Sequence, residues 1–332
     1  MTASARVDKV TNETVFIHGP VTAGQLMTES LWSWSALVKV QDVRESGLVG
    51  TLFLPETAVP TPAVICLAGA AGGIPAGPAA ALAKEGFAAF ALGTHAVEGR
   101  PPVIERFPLE YCFAAVGWLR ETVKPESGFV AVRGHSRGGQ LALLMAVLQP
   151  DDVDAVLAYN SITYVSLAPG NPYAFDDPAA PPAWTWGGKP VEGSVADPNV
   201  LNRGEAAGLE DSHAIALHRA KCPILLISGD DDPGIGDGSH GRKSSEWSCI
   251  HAIRRLKLAG YPYPYQHLAY QSAGHQLAGP PPWNGDLAAG GTRDGNERAV
   301  DDSWPKALNF LRAALTNRQK SETPPTSAPE VG

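Results

Sequence analysis

The chain has 332 residues, 44% hydrophobic and 18% charged, long enough to bury a full core without disulfide or metal staples. Lys and Arg number 26 against 34 Asp and Glu, a net charge of −8 with no basic block, which argues against nucleic acid or an anionic membrane as partner. Cys66, Cys112, Cys222 and Cys249 are scattered, without CxxC or Cys/His ligand spacing, so neither a disulfide framework nor a metal site is implied.

In chain order, residues 1–30 are polar and patternless and read as a surface arm. The start lacks the basic-then-apolar order of a secretory signal. Trp34–Val43 and Gly47–Leu54 are strand-like. Thr57–Ala83 carries no charge and raises the question of a membrane span, but Pro60, Pro62, Pro75 and Pro78 within it rule against a single helix. A cytoplasmic protein with no membrane span is expected.

From Ala63 the rhythm becomes apolar run, glycine loop, helix. Strands are predicted at Ala63–Leu67, Phe87–Leu92, Phe129–Val132, Val153–Tyr159, Pro223–Ser228 and Tyr265–Tyr270. Helices are predicted at Gly77–Lys84, Pro108–Val123, Gly138–Leu148, Ser244–Leu258 and Asp301–Leu315. Continuously apolar strands alternating with helices call for an α/β fold, a mostly parallel doubly wound sheet with helices on both faces. Residues 161–220 break the alternation with a Pro-, Gly- and Trp-rich insert, too long for an ordinary loop and expected to form a cap. One catalytic domain over 31–316 is expected, followed by a polar, Pro-rich and disordered tail over 317–332.

The sequence Gly134-His135-Ser136-Arg137-Gly138 falls between a predicted strand and a predicted helix. Alone, the GxSxG pattern is weak; in this context it predicts a sharp turn that presents the Ser136 hydroxyl above the sheet at a helix N-terminus. Such a hydroxyl needs a base, and the base an orienting carboxylate. In the α/β-hydrolase chain order, Ser then acid then His, the acid comes from Gly229-Asp230-Asp231-Asp232-Pro233 and the base from Ser272-Ala273-Gly274-His275. Asp232 is favoured by its place in the turn, with Asp231 as alternative. For the oxyanion, one N–H is expected from Arg137 and the other from the small-residue loop Ala68–Gly73, at Ala70 or alternatively Ala71.

Four stretches together resemble the C-terminal catalytic domain of acyl-CoA thioesterases and the bile acid-CoA:amino acid N-acyltransferase: AVICLAGAAGG, VAVRGHSRGGQLAL, CPILLISGDDDP with Ser244-Ser245-Glu246 downstream, and YQSAGHQLAGPP. Dienelactone-hydrolase-like enzymes share the core. The resemblance implies an α/β-hydrolase with Ser136 as nucleophile, Asp232 as acid and His275 as base. Two departures from the family concern the walls of the pocket: too few residues precede the first core strand for the thioesterases' N-terminal domain, and GIGDGSHGRK adds glycine-rich sequence after the acid.

The activity expected is two-step acyl transfer on a small-molecule ester or thioester without a cofactor. Transfer to an amine or alcohol, a dienelactone-hydrolase-like carboxylesterase and an inactive ligand-binding relative are the alternatives. Trp184 and Trp186 either line an apolar acyl pocket or cover the core. His95, His135 and Ala71 are further candidates for substrate contact. The oligomeric state is left open.

Overall fold

The computed structural model describes residues 38–57, 59–168, 181–191, 214–233 and 244–322. The expected arm, most of the insert, the glycine-rich stretch after Asp232 and the end of the tail lie outside the described residues.

Eight strands form one sheet in the order β1-β2-β4-β3-β6-β7-β10-β11. β1 (Val38–Val43) and β2 (Gly50–Pro55) form an antiparallel hairpin, and β2 is antiparallel to β4 (Ala88–Leu92). The remaining pairs, through β3 (Ala63–Leu67), β6 (Val130–His135), β7 (Ala155–Tyr159), β10 (Ile224–Gly229) and β11 (Tyr265–Tyr270), are parallel. Every residue of β3, β4, β7 and β10 is buried, as expected of strands covered on both faces.

Alternation along the strands divides the core. Ile65, Phe90, Val132, Val156 and Leu226 join α2 (Glu110–Trp118), α3 (Arg137–Leu148) and α4 (Ser244–Leu258) in one cluster. Behind the sheet, α1 (Ala76–Lys84) packs on β2, β3 and β4, and α5 (Arg293–Glu322) on β7, β10 and β11. Arg312 of α5 bonds the carbonyl of Glu85 at the end of α1. A small second sheet joins β5 (Phe107–Pro108), β8 (Trp184–Trp186) and β9 (Lys189–Pro190).

Two helices differ from the sequence reading. The helix expected over Pro108–Val123 begins at Glu110 and loosens into a π-turn at Leu119–Val123, which Lys124 closes at φ 53°. The last helix starts eight residues before Asp301, at Arg293, and runs past Leu315 to Glu322. Its polar first turns are held by distant partners: Asn296 is buried and bonds Gly274 N–H and the Gly290 carbonyl. The first part of the tail expected from 317 is therefore helical.

Candidate active site

All the parallel strands end on one rim, and the loops leaving them converge there. β6 ends at His135 and α3 begins at Arg137, so the entire reversal falls on Ser136, at φ 55° and ψ −121°. A non-glycine residue in that region costs on the order of 1–3 kcal/mol. The turn is held by Ser136 N–H on the Tyr159 carbonyl at 2.8 Å and by Gln140 N–H on the Ser136 carbonyl at 3.1 Å. Flanking glycines are required by contact: a Cβ on Gly134 would lie 2.0 Å from the Gly138 carbonyl oxygen, and one on Gly138 2.4 Å from that of Ala68.

The loop after β10 places Asp232 at 0% side-chain exposure, its Oδ1 2.7 Å from Nδ1 of His275, which is 14% exposed. The carboxylate fixes the proton on Nδ1 and leaves Nε2 as the basic nitrogen. Oδ2 of Asp232 accepts from Ser245 Oγ at 2.7 Å and from Asn160 Nδ2 at 3.0 Å. The neighbouring aspartates do other work: Asp230 accepts from Ser272 N–H at 2.6 Å and Asp231 from Gly291 N–H at 3.1 Å. Among the three, Asp232 meets the imidazole.

His275 is held through its backbone as well. Its N–H donates to the Ala289 carbonyl at 2.8 Å, and its carbonyl accepts from Nε2 of His135 at 2.7 Å. The two rings lie 4.6 Å apart. Burial, and then the neighbouring His275, push His135 down to about 3, so it stays neutral with its proton on Nε2. His135 thus grips the base loop through Nε2.

In the loop Ala68–Gly73, a Cβ on Gly69 would be 3.2 Å from Ser136 Cβ, which sets the loop beside the elbow. Gly72 N–H bonds the Gly69 carbonyl and Gly73 N–H the His95 carbonyl, each at 3.0 Å. His95 is fully buried. Its Nε2 donates to the Ala70 carbonyl at 2.9 Å, while Nδ1 meets Thr94 Oγ1 at 3.0 Å. His95 therefore braces this loop through the Ala70 carbonyl.

Arg137 turns its side chain inward, onto Ser166 Oγ and the Leu167 carbonyl, and burial lowers the guanidinium to about 10. Gln140 accepts from Trp184 Nε1 at 2.6 Å and from Ser166 Oγ at 3.0 Å, and donates to the Tyr164 carbonyl. Trp184 is 2% exposed and edge-on to Phe107; it is a core residue that ties the insert to α3, not a wall of an open pocket. Trp186 packs edge-on against Phe113 at 5.1 Å.

A serine–histidine contact lies in the sheet under the acid loop, where Ser228 Oγ of β10 meets His267 Nε2 of β11 at 2.7 Å. Ser228 is fully buried, and among the described residues no carboxylate bonds His267. Burial alone lowers that imidazole to about 4. The pair fastens two strands and lacks an acid member.

Sequence reasoning missed Asn160 and gave Ser245 no function of its own. Asn160 follows a buried strand directly, at the rim, and is a residue type that tolerates left-handed backbone; that was the available signal. Among the described residues, no helix is long and apolar enough to cross a membrane, and no three His, Cys, Asp or Glu side chains are grouped to hold a metal.

Acyl-coenzyme A thioesterase 1 of Rattus norvegicus is 27% identical over 85% of this chain and 67% of its own length. Acyl-coenzyme A amino acid N-acyltransferase 1 of Mus musculus is 25% identical over 86% of this chain and 67% of its own. Across such curated relatives the chain spans 57–67% of their length. Among solved structures, a dienelactone hydrolase-like promiscuous phosphotriesterase from metagenomic libraries superposes with a TM-score of 0.53 at 16% identity, over 84% of this chain and 99% of that one. The fold is that of an α/β-hydrolase, and the rim carries a hydrolase-type site in which Asp232 bonds His275 and Ser245. Residues 107–317 match the family described as BAAT / Acyl-CoA thioester hydrolase C terminal, and the chain belongs to that family.

Proposed function

We propose that the chain is a serine hydrolase that cleaves an ester or thioester bond through a covalent acyl-enzyme. One observation carries the reading: Asp232 and His275 are joined at 2.7 Å, and the loop bearing His275 is gripped by His135, the residue before the strained Ser136. In the proposed cycle Nε2 of His275 takes the Ser136 proton as Oγ attacks the acyl carbonyl. The oxyanion accepts from the N–H groups of Arg137, at the positive end of α3, and of Ala70, with Ala71 as the alternative. Collapse expels a thiol or alcohol, protonated by His275. Water, deprotonated by the same imidazole, then attacks the serine ester, releases the acid and restores Ser136.

The substrate side of the proposal is a small acyl ester or thioester, with residues 161–220 as a cap within a single catalytic domain. The thioesterase names of several relatives favour the thioester. The N-acyltransferase relative supports a second reading, transfer to an amine. A serine ester is attacked by amines less readily than a cysteine thioester, which favours hydrolysis.

A panel of acyl-CoA thioesters and p-nitrophenyl esters compared by kcat/KM, with and without added amines, separates these readings. Ser136→Ala is expected to lose on the order of 10⁶ in turnover and all labelling by a fluorophosphonate probe. Turnover near wild type in that variant overturns the proposal.

A further inference from the structure

Asn160 follows the last residue of β7 and is fully buried. Its backbone is left-handed, at φ 46°, and its N–H donates to the Ile227 carbonyl of β10 at 2.7 Å. Nδ2 of the side chain makes two bonds: one to Asp232 Oδ2 at 3.0 Å and one to the Gly274 carbonyl at 3.1 Å. Carboxylate and carbonyl only accept, so the amide orientation is fixed. That orientation leaves the buried Oδ1 of Asn160 with no hydrogen-bond partner among the described residues, which is unfavourable in itself. Packing alone does not select such a residue at this position; two donors aimed at two different loops do.

We propose that Asn160 is a positioning residue for the acid–base pair, holding the Asp232 carboxylate and the backbone beside His275 in one geometry. The inference rests on the reading of Ser136, His275 and Asp232 as nucleophile, base and acid. Asp232 lies 43 residues before His275 in the chain, on a separate loop, and Asn160 is a single amide that bonds both loops. Ser245 shares the same carboxylate oxygen. Among the described residues, His275, His135 and the Cys249 thiol are titratable groups that interact with that carboxylate.

Two substitutions test the proposal on the full chain. Asn160→Gly keeps the left-handed backbone accessible and removes only the side-chain bonds. It is expected to lower kcat for p-nitrophenyl acetate roughly 10- to 100-fold with KM little changed, since the amide touches no substrate. This is well short of the about 10⁴-fold attached to losing the acid itself. Asn160→Asp adds a carboxyl against Asp232, and the added negative potential favours the protonated imidazole. The acidic limb of the kcat/KM profile, and of the fluorophosphonate labelling rate, is expected to move up by about one pH unit or more.

A residue that served folding alone would lower the Tm and leave the profile of the folded enzyme unmoved. Wild-type kcat in Asn160→Gly overturns the proposal. If that variant does not fold, an unshifted limb in Asn160→Asp overturns it. Ser136→Ala, assayed alongside, keeps the two readings apart: persistent labelling there removes the nucleophile assignment, whereas abolished labelling with wild-type Asn160 variants removes only the positioning role.

Discussion

His135 donates from Nε2 to the backbone carbonyl of His275 at 2.7 Å, so the residue before the elbow serine grips the loop that carries the imidazole. Serine and base are thereby referenced to each other through a side chain as well as through the sheet. Displacements near 1 Å in such an arrangement cost about 10²-fold in rate. His135→Ala is expected to reduce kcat by about that factor with KM near wild type. His135→Gln, which restores an N–H at similar reach, is expected to recover part of it. Steady-state kinetics on one p-nitrophenyl ester decide between these outcomes.

The three adjacent aspartates are expected to separate sharply. Asp232→Asn removes the carboxylate on Nδ1 of His275 and is expected to cost on the order of 10⁴ in kcat. Asp230 and Asp231 bond the backbone N–H groups of Ser272 and Gly291, so their replacement by Asn is expected to lower the Tm slightly and leave kcat within about 10-fold, as bonds that only shape a turn would. Equal losses in all three variants would contradict the assignment of the acid.

Acid is expected to weaken the fold from near pH 6.5 downward. Burial holds His135 at about 3 and His267 at about 4, below the ordinary 6.5. Between those values the unfolded chain binds protons that the folded chain refuses, so stability rises with pH. The contribution of these groups is complete above about pH 6.5 and is lost as pH falls toward 4 and then 3, at up to about 1.4 kcal/mol per pH unit for each group. Melting curves between pH 7.5 and 4.5 measure the slope, and His267→Gln is expected to flatten it.

Arg133 is buried on β6, stacked 4.7 Å over the Tyr159 ring, and its Nε and Nη2 have no hydrogen-bond partner among the described residues. The guanidinium draws the adjacent Cys66 thiol down, but burial dominates and raises that thiol to about 11. Exchanging a buried charge for an apolar residue of similar volume is often neutral or stabilising by about 1–4 kcal/mol. Arg133→Met is therefore expected to hold or raise the Tm in a thermal melt. A drop of several degrees would mean that the stacking outweighs the cost of burying the charge.

What could be read from the residues follows the range of the interactions. β3, β4, β7 and β10 announce themselves as unbroken apolar runs, because burial on both faces leaves no polar positions. The elbow and the Gly-His loop are local patterns: Ser136 sits between β6 and α3, and His275 follows β11. The start of α5 did not, because its polar first turn is stabilised by Asn296 reaching Gly274 and Gly290, partners that local periodicity cannot reveal. For His95 and Trp184 the residues alone leave pocket and packing open; their neighbours in space, the Ala70 carbonyl and Gln140, give them bracing contacts. Asn160 is legible only once β7 and β10 are known to be adjacent, so that its amide faces both loops.

Gln140 lies four residues beyond Ser136, in the first turns of α3, and bonds Tyr164, Ser166 and Trp184 from the other side. Lifting those insert residues away from the sheet means breaking bonds to the very helix on which the serine turn rests. One amide side chain thus couples the described part of the insert to the turn that carries Ser136.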